Sequence, residues 1–364
     1  MDQSELLACC DQAFAEHILA WYDVHHRSFP WRISPVGTSQ RVEPYLVWIS
    51  ELMLQQTGTA TVIPYFNRFI DAFPNVHVLA QAPIDMVLAH WQGLGYYRRA
   101  HLLHKSAKII MDQGMPQSYD GWLALPGIGP YTAGAITAIG YNKPAVAIDG
   151  NIRRVFSRYF GIKGVDWLNE VAKQARAQLP KNRFGDYTQA LMDFGATICK
   201  THQPQCAQCP LASSCYARCV GPIADFPPKI PKGTVKNQSG HFFIAHDADR
   251  GLWMRQAGPM DLLPGLWGFP STPWTSTHAD SPADIWSHAC TYAGQISHRF
   301  THIALQAHYW LAKDPCALVA LFSDQGFTGQ WVGWAHLPQY PISTLVRKII
   351  HSVFGSQSKI RTER

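Results

Sequence analysis

The sequence has no run of about 18 or more apolar residues and no leader of the basic-then-apolar kind, since it begins MDQSELL. The first absence argues against a membrane-spanning helix and the second against export, so a cytoplasmic protein that does not enter membranes is expected. Charge is also scarce. Only 15% of residues are charged, and the net charge is a modest +6. No internal repeat or heptad array occurs, which argues against a solenoid or a coiled coil. Apolar and aromatic residues are plentiful: 47% of the chain is hydrophobic, with 13 Trp, 14 Tyr and 17 Phe. That composition excludes a disordered chain. A length of 364 residues exceeds what one hydrophobic core usually spans, so two domains are expected and a lone small binding module is excluded.

The charge is unevenly spread. Residues 1–150 carry 9 basic and 12 acidic groups, residues 151–250 carry 14 and 7, and the remainder 8 and 6. The basic surplus is therefore local, in a block that begins Arg153, Arg154, Arg158, Lys163. Such a block suits a polyanion, although a solvated helix face has the same look. Up to about residue 216 apolar residues recur at three- and four-residue spacings, as in Leu46, Ile49, Leu52, Met53, punctuated by Pro and Gly. This predicts an all-helical first domain. Residues 220–239, VGPIADFPPKIPKGTVKNQS, lose that periodicity and read as a linker. Beyond them HFFIAH, GLWMRQ, ALQAHYWLA and CALVALF are short runs of strand-like texture, followed by a helical stretch near Ile342–Phe354. The second domain should mix strand and helix.

Nine cysteines are present, and four of them, Cys199, Cys206, Cys209 and Cys215, fall within seventeen residues with spacing C-x6-C-x2-C-x5-C. Four thiolates so close in sequence can wrap one tetrahedral ion or an iron-sulfur cubane. The spacing lacks the paired C-x2-C knuckles of a zinc ribbon, which favours iron-sulfur, though spacing alone leaves zinc open. Lys200, Arg218 and the basic block upstream suggest that this loop also faces a polyanion.

Three further features carry chemistry. The turn LPGIGP, with Gly127 and Gly129, leads into the helical run TAGAITAIG, and free amides at such a helix start can hold a phosphate; an ordinary helix-helix turn has the same sequence. Asp149 precedes the helical run IRRV, where an aspartate usually caps the helix. Glu51, in PYLVWISELMLQQT, shares a helix face with Val47, Trp48, Leu54 and Gln55. Burial there would raise its pKa and let it act as a general acid, whereas a glutamate at the edge of that face would snorkel to water. Asp149 could supply the ionised partner that stabilises an oxocarbenium-like centre.

Taken in order, Pro30-Trp31-Arg32, SELMLQQT from Ser50, GLGYYRRA from Gly93, LPGIGPYTAGAI, AIDGNIRR and the four cysteines resemble the endonuclease III, or helix-hairpin-helix, superfamily of DNA glycosylases over roughly residues 15–216. Within it, SELMLQQT, GLGYY and the presence of a second domain resemble the MutY family. The resemblance implies an α+β multidomain chain. Residues 1–219 would form the glycosylase domain, with a six-helix bundle at about 33–140 and an iron-sulfur lobe from 1–32 and 141–219. Residues 220–239 would be the linker and 240–364 a Nudix-like, or MutT-like, domain that recognises 8-oxoguanine.

The implied activity is hydrolysis of the N-glycosidic bond of adenine mispaired with 8-oxoguanine or guanine in double-stranded DNA. The implied cofactor is a 4Fe-4S cluster on Cys199, Cys206, Cys209 and Cys215. Glu51 would protonate the flipped base, and Asp149 would stay ionised and stabilise the sugar cation. Arg27, Trp31, Arg32, Leu54, Tyr131 and Gln189 would line the adenine pocket, and Gln56 and Tyr96 would wedge beside the oxidised base. Gly127 and Gly129 would lie on the DNA backbone.

Superfamily members that also cut the strand place a Schiff-base lysine where this chain has Tyr131, so a monofunctional enzyme is implied. In the second domain GLWGFPS and Phe300-Thr301-His302 resemble the family's recognition segments, with threonine in place of the usual serine. Residues 251–310 contain no glutamate, so no Nudix catalytic box is present to hold Mg2+. ISPVGTSQRVE, before Pro44, is longer than the family's usual connection. A monomer is expected, located in the cytoplasm and nucleoid-associated if bacterial. The competing readings are a mismatch thymine glycosylase, a non-catalytic DNA-binding iron-sulfur protein and a zinc-dependent regulator.

Overall fold

A computed structural model describes residues 14–32, 41–229, 235–258, 261–276, 284–300 and 303–355. They form two compact units, one within residues 1–81 and 102–230, the other within 82–101 and 231–364.

The first unit is helical. Helix α1 (Phe14–His25) buries Phe14, Ile18, Trp21 and Tyr22, an i, i+4, i+7, i+8 stripe. The next helices are α2 (Pro44–Leu54), α3 (Thr59–Ala72) and α4 (Val76–Gln81). Helix α5 (Ile84–Trp91) and the first turn of α6 (Arg98–Gln113) fall in the segment that groups with the second unit. The hairpin is α7 (Tyr119–Leu123), capped by the Ser118 hydroxyl, then a tight turn, then α8 (Pro130–Ala135), which continues as a π-helical turn over Ile136–Gly140. Gly127 in that turn has φ +78°, and a Cβ there would stand 2.6 Å from the Leu102 Cβ. Glycine is thus required twice over.

Helices α9 (Gly150–Phe160), α10 (Trp167–Ala177), α11 (Phe184–Thr197) and α12 (Tyr216–Val220) complete the unit. One core joins α1 to α9, α10 and α11: Phe14 lies 5.2 Å from Phe156 and 4.8 Å from Tyr159, and Trp21 lies 5.2 Å from Phe194, all between ring centroids. Segments more than 120 residues apart in sequence are therefore one packed layer.

In the second unit, β1 (Lys236–Ile244) and β2 (His246–Asp247) are followed by β3 (Gly251–Gln256), β4 (Trp267–Gly268), α13 (Asp284–Ala289), β5 (Cys290–Arg299), β6 (Ile303–Ala312), α14 (Pro315–Asp324), β7 (Gln330–Val332) and α15 (Thr344–Phe354). Strand order in the first sheet is β1-β6-β5, with β1 parallel and β5 antiparallel to β6; the second sheet runs β2-β3-β4, with β7 also on β3. The two-residue period of β1 sends Phe242 and Ile244 into one core, with Leu305, Tyr309 and the apolar face of α15, and Phe243 into another with Trp253 and Phe322.

Two details depart from the sequence reading. Cys316–Phe322 is helical rather than strand-like, because the Asp314 carboxylate accepts from the amides of Cys316 (2.8 Å) and Ala317 (3.2 Å) and Pro315 pre-sets the first turn. Strand β1 begins at Lys236, inside the segment read as linker. Within that same segment Phe226 is buried in the first unit, its carbonyl accepting from Arg158 Nε at 3.0 Å. Among the described residues no helix is long and apolar enough to cross a membrane.

Candidate active site

Helix α2 is buried on nearly every side, and Glu51 shares that burial, being only 5% exposed. The snorkelling alternative is thereby ruled out. The first turn of α8 brings up Tyr131, whose hydroxyl donates to Glu51 Oε2 at 2.6 Å. Burial pushes the Glu51 carboxyl from its ordinary 4.5 up to about 7; the Tyr131 hydrogen bond opposes this, the charge of Asp149 adds to it and that of Arg32 opposes it. Near neutral pH the group can therefore both hold and release a proton, as a general acid must.

Asp149 is both a cap and a member of the site. At the N-terminus of α9 its Oδ1 accepts from the Ile152 amide at 2.7 Å and its Oδ2 from Asn151 Nδ2 at 2.8 Å. Burial raises its pKa, while the bonds from Ile152 and Asn151 and the charge of Arg154 favour the anion. The approach of α8 to the extended segment that delivers Asp149 depends on Gly134, where a Cβ would collide with the Val146 carbonyl.

A cavity of about 320 Å³ opens over these groups. Glu51, Asp149 and Tyr131 line it, together with Arg27, Trp31, Arg32, Leu54 and Gln189, so eight positions read from sequence converge on one site. Trp31 is almost wholly buried, stacked at 5.1 Å on Phe29 and edge-on at 5.3 Å to Phe66. Gln189 is also buried and donates to the Gly185 carbonyl at 3.3 Å.

Several residues here were missed by the sequence reading. Asp193, fully buried on α11, receives Arg27 Nε (2.8 Å), the Arg27 amide (3.0 Å), Arg32 Nη1 (2.7 Å) and Arg32 Nη2 (3.1 Å). Its signal was a lone acid one turn beyond Gln189 in the apolar run LMDFG. Phe29 lies beneath both guanidiniums, 5.0 Å from Arg27 and 4.9 Å from Arg32. Asn151, which orients Asp149, lines the cavity as well.

The remaining predicted positions lie elsewhere. Gln56, two residues beyond α2, and Tyr96, between α5 and α6, both adopt left-handed backbone, with φ of 58° and 51°. Non-glycine residues hold that conformation at a cost, and it concentrates at functional loops. Tyr96 is 43% exposed, and the Arg99 guanidinium lies 5.0 Å from its ring centroid. Gly127 and Gly129 form the hairpin turn, Gly129 being the N-cap of α8. Phe300 closes the turn between β5 and β6, its amide donating to the Ile303 carbonyl at 2.8 Å. Thr301 and His302 lie outside the described residues, as does most of the long connection before Pro44.

Cys199, Cys206, Cys209 and Cys215 form no disulfide and are each partly buried. Among the described residues no three His, Cys, Asp or Glu side chains are close enough to share a single metal ion. Cys209 and Cys215 feel their companions. Burial pushes Cys209 and Cys215 up to about 11, and the charges of their companions push the same way. Arg158 ties this loop to α9, reaching Cys199 Sγ at 3.5 Å, the Lys200 carbonyl at 2.6 Å and the Thr201 carbonyl at 3.3 Å.

Residues 49–181 match the family described as HhH-GPD superfamily base excision DNA repair protein, and residues 241–352 match the NUDIX domain. The chain is 32% identical over 354 residues to an adenine DNA glycosylase of Buchnera aphidicola, covering 93% of this chain and 97% of the relative. It is 37% identical over 402 residues to an adenine DNA glycosylase of Mus musculus, covering 93% and 77%. Among solved structures, a thermostable thymine-DNA glycosylase superposes with a TM-score of 0.52 at 26% identity, over 58% of this chain and 98% of that one.

Proposed function

The chain belongs to the adenine DNA glycosylases, and from that premise we propose that it hydrolyses the N-glycosidic bond of adenine opposite 8-oxoguanine or guanine in double-stranded DNA, leaving an abasic site. The observation that carries this reading is the buried Glu51, hydrogen-bonded by Tyr131 at 2.6 Å in one cavity with Asp149. Glu51 protonates the purine at N7, so that the base leaves neutral, and then takes a proton from the attacking water. Asp149, held by Ile152 and Asn151, stabilises the positive charge that develops on the sugar. Arg27, Trp31, Arg32, Leu54, Tyr131 and Gln189 enclose the flipped base. Tyr131 occupies the hairpin position from which an amine would attack the sugar, and a phenol forms no Schiff base. The enzyme is therefore monofunctional.

Gly127 and Gly129 meet the DNA backbone, Gln56 and Tyr96 enter the base stack, and Phe300, Thr301 and His302, which follow β5 in sequence, read the oxidised base. Residues 1–219 are the glycosylase domain, 220–239 the connection and 240–364 the recognition domain, working as a monomer. Cys199, Cys206, Cys209 and Cys215 hold a 4Fe-4S cluster. The donor set fits it: four partly buried thiols lie within residues 199–215, and Cys209 and Cys215, pushed up by burial and by the charges of their companions, would be matched by a cationic group. When bound, the cluster supplies iron-sulfur bonds that fasten residues 199–215 to the helical lobe.

The test is incubation of excess protein with duplexes containing A·8-oxoguanine, A·G, G·T or A·T, with and without hot alkali. Cleavage of the adenine strand only after alkali is expected. Cleavage without alkali would overturn the monofunctional assignment, and cleavage of G·T alone would overturn adenine as the substrate.

A further inference from the structure

Asp193 is the most deeply buried acid of the site region, with a side chain that is 0% exposed, and it stands behind Arg27 and Arg32 rather than in the lining of the cavity. Its whole hydrogen-bonding capacity is spent on Arg27 and Arg32. Oδ1 takes Arg27 Nε at 2.8 Å and Arg32 Nη2 at 3.1 Å; Oδ2 takes Arg32 Nη1 at 2.7 Å and the Arg27 amide at 3.0 Å. Arg32 Nη1 also donates to the Arg27 carbonyl at 3.1 Å, which closes the ring of contacts. Arg27 and Arg32 therefore stand in one wall of the cavity against the Phe29 ring, with Asp193 bonded to both and bringing the trio to a net charge of +1.

That wall acts on the acid. The groups facing Glu51 are Tyr131 from α8, Asp149 from the start of α9 and Arg32 from the segment after α1. The groups facing Asp193 are Arg27, Arg32 and, from α1, Tyr22, which also feels Asp186 and Arg183 of the α11 region. Arg32 belongs to both sets, and with Arg27 it links the Asp193 carboxylate to the cavity that holds Glu51.

Resting on the glycosylase reading above, we infer that Asp193 is a positioning residue that holds Arg27 and Arg32 in the pocket wall and halves their charge, so that Glu51 keeps its proton where the reaction needs it. Burial acts to raise the Asp193 pKa, but Arg32 and then Arg27 outweigh it and hold the group below its ordinary value, so the countercharge persists at every pH of interest. Without it the wall carries a second uncompensated positive charge, and at an effective dielectric near 20 such a charge lowers a carboxyl's proton affinity by about one pH unit at roughly 12 Å and by more when nearer.

The experiment is the pH dependence of single-turnover adenine excision by the full chain between pH 5.5 and 9. Asp193→Asn should move the alkaline limb down by about one unit, so that the rate drops roughly tenfold at pH 8 and little at pH 5.5. Arg27→Gln should move it up. Asp193→Asn combined with Arg27→Gln restores the net charge and should return the limb to its wild-type place. A packing role alone predicts a pH-independent loss that the second substitution deepens, and that result would overturn the inference. If Asp193→Asn fails to fold, an unmoved limb in Arg27→Gln overturns it equally.

A second readout does not depend on activity. The extra stability that Glu51→Gln gives at pH 8 relative to pH 5 should shrink in the Asp193→Asn background. No shrinkage overturns the inference. Wild-type protein inert on every duplex, with the shrinkage intact, would sink the glycosylase reading and leave this one standing.

Discussion

Replacing Glu51 by Gln should make the protein inactive and more stable, by an amount that depends on pH. The carboxyl has a native pKa of about 7 against an ordinary 4.5. Below pH 4.5 both the folded and the unfolded chain carry the proton, and the group costs nothing. Between 4.5 and 7 the unfolded chain releases it while the folded chain retains it, so stability falls as pH rises. Above 7 the folded chain releases it too, and the penalty levels off at about 3 kcal/mol, from roughly 2.5 pH units at about 1.4 kcal/mol each. At pH 5 the same linkage gives less than about 1 kcal/mol.

Glutamine is neutral throughout, keeps the shape and still offers a carbonyl oxygen to the Tyr131 hydroxyl. Its gain over the wild type should therefore grow by roughly 2 to 3 kcal/mol between pH 5 and pH 8. Urea unfolding followed by tryptophan fluorescence measures this, since Trp48 lies on the same helix and packs on Trp122 at 5.6 Å. Equal gains at the two pH values would show that Glu51 titrates like a solvated carboxyl. A loss at pH 8 would show that the carboxylate is the form the fold prefers. Either outcome refutes the general-acid argument at its physical root.

Asp149→Asn keeps an oxygen to cap α9 and removes the charge, so unfolding free energy should change by less than about 1 kcal/mol while single-turnover excision falls by about 10² or more; a parallel loss of both would reduce Asp149 to a cap. Tyr131→Phe removes a hydrogen bond that lowers the Glu51 pKa, so the alkaline limb of the excision profile should move to higher pH, and a shift to lower pH would contradict the assigned direction. Cys209→Ser should lower bound iron from about four per chain and bleach the brown colour of the purified protein. Stoichiometric zinc in wild-type protein, with no iron or sulfide, would refute the cluster assignment.

The division of labour between sequence and structure follows from the range of the forces involved. Local rules were legible from the chain alone: Asp149 as a cap, the glycine turn at Gly127, the helical period of the first unit and the strand-like texture of HFFIAH in β1. The ordered motifs and the four clustered cysteines were legible too, because a contiguous pattern carries its own evolutionary signature. Local texture misled at Cys316–Phe322, where an apolar run suits strand and helix alike and the cap at Asp314 decides for helix.

What the sequence alone could not settle is which groups face one another. Glu51 and Tyr131 are 80 residues apart, and Arg27 and Asp193 are 166 apart. Whether Glu51 snorkels to water or is sealed in depends on the packing of α8 and the π-helical turn after it against α2, and the change in its pKa exists only once that packing excludes solvent. The sequence by itself determined the type of each chemical group and its local backbone. Only the tertiary structure decided the distances and the desolvation that turn an ordinary glutamate into an acid near neutrality, because burial and Coulomb energies depend on neighbours in space rather than along the chain.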